Sequence, residues 1–169
     1  ATATTGNMTQ SGALTVAGTS AFTTSANNAK ITLDTSTNAL TGAVTLTTND
    51  DSGTDADATI DNGTTALIIA ESTVDGDLTI KSGHASGITD SGTVTVGGNL
   101  AATTDENNGV IDMGTLAVDG TITLTTHGTG NATIVNDAGL EFAASNVGGN
   151  LAATATTGNM TQSGALTVA

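Results

Sequence analysis

Residues 1–17, ATATTGNMTQSGALTVA, recur without a single change as residues 153–169. An identity of seventeen residues in a chain of 169 is not a chance event, and it sets a period of 152 residues. The sequence therefore reads as a single uncapped segment, 1–169, made of one long repeat, 1–152, and the start of the next, 153–169. A looser, shorter repeat runs inside it. Apolar doublets flank a glycine turn in LTVAGTSAF from Leu14, LTGAVTL from Leu40, VDGDLTI from Val74, VTVGGNL from Val94 and LAVDGTITL from Leu116. A second anchor follows each of these, an apolar pair leading into Asp, Asn, Gly or Ser, as in ITLDTST from Ile31 and ATIDNGT around Ile60. Stepping through Met8, Ile31, Ile60, Ile88, Ile111, Ile134 and Met160 gives intervals of 23, 29, 28, 23, 23 and 26 residues, which predicts six coils per long repeat. Short strands in units of this length, separated by turn residues, are the mark of a solenoid.

The strands follow from alternation. Leu14 and Val16, Val44 and Leu46, Leu78 and Ile80, Leu116 and Val118, and Ile122 and Leu124 each skip one residue, with Thr or Ala between. No stretch of useful length carries helical spacing. Thr and Val favour strands, and VGG, VDG, DNG and NNG supply turns. The fold class expected is all-β, a parallel β-helix of six coils per repeat, advancing about 29 Å at roughly 4.8 Å per layer. No polar cap is evident at either end, so the last coil is expected to continue covalently into another repeat or to be covered by another molecule stacked end to end.

Composition narrows the function. There is no Cys, Pro, Trp or Tyr, and Phe22 and Phe142 are the only aromatic residues. A core must be assembled from Val, Ile, Leu, Ala and the Thr methyl, which suits many thin, regular layers better than one globular centre. Sixteen acidic residues stand against Lys30 and Lys81, for a net charge of −14. Without Arg or clustered Lys the chain has no means of gripping phosphates, so nucleic acid is excluded as a partner. Thiol catalysis, disulfides and Cys-based metal sites are excluded as well. No run approaches the roughly 18 apolar residues of a spanning helix, and no leader opens the chain, so it is read as an internal piece whose export signal lies elsewhere.

The densest acidic stretch, TNDDSGTDADATIDNG, holds Asp50, Asp51, Asp55, Asp57 and Asp61. Hard oxygen ligands at this density are calcium candidates, but neither the EF-hand order nor the glycine-rich nonapeptide of calcium-binding solenoids is present. A solvated loop is the other reading. No other cofactor is expected. An enzyme is not expected either: Asp34, Asp61, Asp75, Asp90, Asp112 and Asp119 are dispersed over separate turns, and sugar-stacking Trp and Tyr are missing. His84 and His127 sit in separate glycine-flanked turns with no second ligand at metal spacing. Thr45/Thr47, Thr93/Thr95 and Thr121/Thr123 lie on different sides of their glycine turns, so no common threonine register is expected. Asn99 and Asn150 follow Gly pairs and are candidates for an amide ladder between coils. Asn7, Asn62 and Asn131 head glycosylation triplets.

Residues 94–126, VTVGGNLAATTDENNGVIDMGTLAVDGTITLTT, resemble the repeats of filamentous-haemagglutinin-like exoproteins and other large bacterial β-strand-repeat adhesins. The likeness extends in style over the whole chain. It implies a right-handed parallel β-helix exported across the outer membrane of a Gram-negative cell. The expected localisation is the bacterial cell surface or the extracellular space, with a structural and adhesive role in adhesion, aggregation or matrix building. The expected partners are neighbouring identical repeats, and glycans or cell surfaces. Two alternatives stay open: a specific glycan- or host-binding adhesin module, and, more remotely, a β-helix polysaccharide-degrading enzyme.

Overall fold

The computed structural model describes residues 1–51 and 55–169. Their regular structure is entirely β-strand, and the strands stack in parallel as a β-solenoid. Each coil contributes a strand, or two short strands with a break between them, to each of two ten-stranded sheets. A two-stranded ladder, Thr15–Val16 on Ala39–Leu40, lies beside the second sheet.

The alternation seen in the sequence decides which side chains turn inward. In Leu78–Ser82 the apolar Leu78 and Ile80 are fully buried while Thr79 between them is exposed. Successive coils place like on like. Ala58, Leu78, Leu100, Ile122 and Phe142 form one buried column in the second sheet, and Leu33, Ile60, Ile80, Ala102 and Leu124 form the next. Val74, Val96 and Val118 do the same in the first sheet. The core is thus a stack of thin aliphatic layers, and both phenylalanines are absorbed into it.

The pairings correct the coil count. Met8 is in register with Ile31, and the column continues through Ala58, Leu78, Leu100, Ile122, Phe142 and Gln162. This is seven steps of 20 to 27 residues, not six of 23 to 29. The sequence anchors changed sheets along the way. Met8, Ile31, Ile60 and Met160 belong to the second sheet, whereas Ile88, Ile111 and Ile134 belong to the first. The interval from Ile134 to Met160 passes over a whole coil, the one carrying Leu140–Phe142. Similar apolar pairs occur on both sheets, so composition alone does not tell the two sides apart.

Thr47 and Thr95 share a column, whereas Thr121 and Thr123 lie on the second sheet, so the three pairs have no common register but single threonine columns form within each sheet. Thr2, Thr23, Thr47, Thr73 and Thr95 follow one another on the first sheet, and Thr9, Thr32, Thr59 and Thr79 on the second. Inward apolar residues, rather than the glycine turns, set the alignment. The corners nevertheless depend on glycine. Gly98 donates its N–H to Gly76 O and Gly120 donates to Gly98 O, both at 3.0 Å. A Cβ on Gly120 would lie 2.5 Å from Gly98 O and 2.8 Å from Gly98 C, so coils close this tightly only without a side chain.

Candidate functional site: the coil shared by adjoining repeats

The acidic residues do not converge. Asp50 Oδ2 accepts from Asp55 N, Asp75 Oδ2 accepts from Asp50 N, and Asp51 N donates to Asn27 Oδ1. Asp57 Oδ1 accepts from Asp77 N and its Oδ2 meets Lys30 Nζ at 2.6 Å. Asp61 Oδ1 caps Gly63 N, and Oδ2 stands 3.6 Å from Lys81, which also meets Asp105 at 2.6 Å. Among the described residues no group of three or more His, Asp or Glu side chains is placed to hold a metal. Part of the acidic stretch, residues 52–54, lies outside the described residues. Donating a hydrogen bond to Asp57 raises the Lys30 pKa above its ordinary value, and donating one to Asp105 does the same for Lys81 against some loss from burial.

Four carboxylates, those of Asp57, Asp75, Asp77 and Asp90, instead accept from the backbone of neighbouring coils. Asn7 Oδ1 accepts from Lys30 N, Asp57 from Asp77 N, Asp77 from Asn99 N, and Asn99 from Thr121 N. This exposed line along the second sheet contains the Asn99 expected in an amide ladder; Asn150 joins a similar line by donating its N–H to Asn131 Oδ1. Asp90 accepts from Gly114 N, Thr115 N and the Thr115 hydroxyl, holding the kink in Ile111–Val118. His84 Nδ1 accepts from Ser86 N within its own turn. His127 Nδ1 lies 2.8 Å from Thr104 O, a contact that requires the proton on that nitrogen. Asn62, at the head of a glycosylation triplet, is fully buried, with Nδ2 donating to Leu40 O, Thr65 O and Ala66 O.

Sequence reading missed the buried amides that span coils. Asn62 Oδ1 accepts from Leu40 N while its Nδ2 returns a bond to Leu40 O, and Asn136 treats Val118 in the same way. Asn38 Oδ1 accepts from Leu14 N and from Gln10 Nε2, and its Nδ2 donates to Leu33 O, Asp61 O and Gln10 Oε1. Parity was the available signal: Asn62 and Asn136 stand two residues after the buried Ile60 and Ile134, so they too face inward.

The duplicated residues form the most informative arrangement. Residues 1–17 meet the following coil, and their counterparts 153–169 meet the preceding one, so one sequence displays both of its edges. Toward the following coil, Ala1 O, Ala3 O, Leu14 O and Val16 O accept from Thr23, Ser25, Ala39 and Thr41 N, and Met8 N donates to Lys30 O. Toward the preceding coil, Thr156 N, Ser163 N and Ala169 N donate to Asn136, Phe142 and Val147 O, while Asn159 O and Ala165 O accept from Leu140 and Ser145 N. The counterparts of this second set are Thr4, Ser11, Ala17, Asn7 and Ala13, none of which belongs to the first set. One turn contact is kept in both copies, Gln10 Nε2 donating to Gly12 O and Gln162 Nε2 to Gly164 O, although Gly158 has a φ of 81° and its counterpart Gly6 is not in that region. One coil of this sequence can therefore carry both ladders at once.

A family described as repeats of unknown function (DUF5649) matches residues 1–47, 55–113 and 129–169. The chain belongs to this repeat family. Both copies of the duplicated coil fall within DUF5649 matches, as do Asp55, Asp57 and Asp61, while Asp50 and Asp51 lie between two of them. No curated protein and no solved structure matches the chain.

Proposed function

We propose that this DUF5649 chain is a rod-forming structural segment of a secreted bacterial surface protein, built by end-on continuation of its 152-residue repeat. The observation that carries the reading is the double use of the duplicated coil, whose two edges employ separate backbone groups. Stiffness comes from unbroken ladders and stacked aliphatic layers, and solubility from the acidic exterior. The secreted and adhesive part of the reading is supported by the resemblance of residues 94–126 to exported β-strand-repeat adhesins. No catalytic role is assigned, because the acidic side chains bond to turns and neighbouring coils rather than to a common cleft.

Electron microscopy and fibre diffraction of a tandem array test the reading. Seven layers predict an axial advance of about 34 Å per 152 residues and a strong reflection near 4.8 Å. Compact particles whose length does not grow with repeat number would overturn it. A glycan array, with the same rods as analyte, tests the adhesive part: binding to one glycan class would make the segment an adhesin in its own right.

A further inference from the structure

Where two short strands lie against one continuous strand of the preceding coil, a serine oxygen takes up the N–H that the break would leave unpaired. Ser72 Oγ accepts from Leu46 N and donates to Ala70 O; Ser145 Oγ accepts from Leu124 N and donates to Ala143 O. Ser20, at the head of Ser20–Thr24, follows Gly18 at the same spacing, and its own N–H bonds to the following coil at Ala43 O just as those of Ser72 and Ser145 bond to Thr93 O and Ala165 O. Its Oγ, however, is buried without a hydrogen-bond partner. A buried hydroxyl of this kind normally has one.

The register identifies the missing donor. Thr2 pairs with Thr23, so Ser20 aligns with the position two residues before Ala1. In a tandem array Ala1 is the counterpart of Ala153, and that position is Leu151. In Leu151–Ala155 the groups facing the preceding coil come from the even-numbered residues, since Asn150 O accepts from Ala132 N and Thr156 N donates to Asn136 O. Parallel-strand parity turns the Leu151 N–H the other way, toward the following coil. Ala1 follows the same rule: its amino group donates to Ala21 O at 2.6 Å and its carbonyl accepts from Thr23 N.

Packing gives an independent indication. A cavity of about 470 Å³ opens on the same edge, lined by Met8, Gln10, Leu14, Phe22 and Leu33 among others. On the duplicate coil the preceding layer is present: Leu140, Phe142 and Val147 stand in register with Met160, Gln162 and Val168.

We propose that a preceding copy of the same repeat covers this edge, with its Leu151 N–H donating to Ser20 Oγ and its residues 140–147 closing the cavity. The proposal rests on the rod reading and specifies its junction. It is tested on a chain carrying residues 1–152 followed in frame by residues 1–169, compared with the 169-residue chain. By amide hydrogen exchange, Leu151 of the first copy should be protected roughly 100-fold or more over Leu151 of the last copy. Ser20→Ala in the second copy should remove at least about tenfold of that protection, while the same substitution in the first copy should leave it unchanged. Small-angle scattering separates the two ways of failing. If the longer chain does not lengthen by about 34 Å, the rod itself fails. If it lengthens but Leu151 stays unprotected, or both substitutions act equally, the junction proposal fails and the rod stands.

Discussion

Asn62 is a single side chain standing in for a strand. Its amide accepts from Leu40 N and donates to Leu40 O, replacing two ladder bonds in a layer where the backbone turns away. Asn62→Ala leaves both groups of Leu40 buried and unpaired, along with Ala66 O, which accepts from the same Nδ2 at 2.8 Å. The expected cost is about 2–3 kcal/mol, measured as a drop in the urea midpoint with little change in slope. A loss under about 0.5 kcal/mol would mean that water reaches Leu40 instead. This role was legible in principle, because the inward parity of Ile60 carries on to Asn62. It was missed because an Asn beside Gly looks like a turn residue on composition, and composition is blind to which way a side chain points. Asn99, on the outward parity, does bridge coils, but its neighbours there are Asp77 and Thr121 rather than other amides.

At the scale of the element, coil closure depends on what the corners and the exposed lines allow. Gly120→Ala should destabilise by about 1–3 kcal/mol, since its Cβ would press on the main chain of Gly98, which has no flexible end to move aside. Gly114 has open space around the equivalent position, so Gly114→Ala is the matched control and should be far milder. The lysines set a pH dependence of definite sign. The Lys30 pKa is raised in the folded state, chiefly by its hydrogen bond to Asp57, so its contribution is fully present below the ordinary value of 10.5 and disappears as pH climbs through the raised one. Lys81 acts in the same direction through Asp105. The denaturation midpoint should therefore fall above pH 10.5, and Lys30→Met should remove part of that fall by lowering the plateau below it. Strand identity was readable from alternation, but coil number was not. Ile88 and Ile60 both lead into an Asp-containing glycine turn yet lie on different sheets, and hydrogen-bond register separates them.

At the scale of the whole molecule, charge density becomes the governing quantity. The duplicated residues 1–17 carry no charged side chain, so each 152-residue repeat keeps the full net charge of −14. Spread over about 34 Å of axis, this is one net negative charge per roughly 2.4 Å, close to the 1.7 Å of duplex DNA. A long array would gather a counterion atmosphere along its length without any built site, a different use of the aspartates from the calcium centre that their clustering suggests. The two mechanisms predict different things. Counterion attraction makes Ca²⁺ and Mg²⁺ draw rods together at similar concentrations, with the threshold rising as monovalent salt is added. It also makes rods bundle as pH approaches the isoelectric value of about 4.1, where the repulsion vanishes. A built calcium site would respond to Ca²⁺ alone, saturate at a fixed stoichiometry and change little with sodium chloride. Light scattering over a matched series of the two cations at several salt concentrations distinguishes them. Equal, salt-sensitive thresholds are the outcome expected, and a response confined to Ca²⁺ would return Asp50, Asp51, Asp55, Asp57 and Asp61 to the role of ligands.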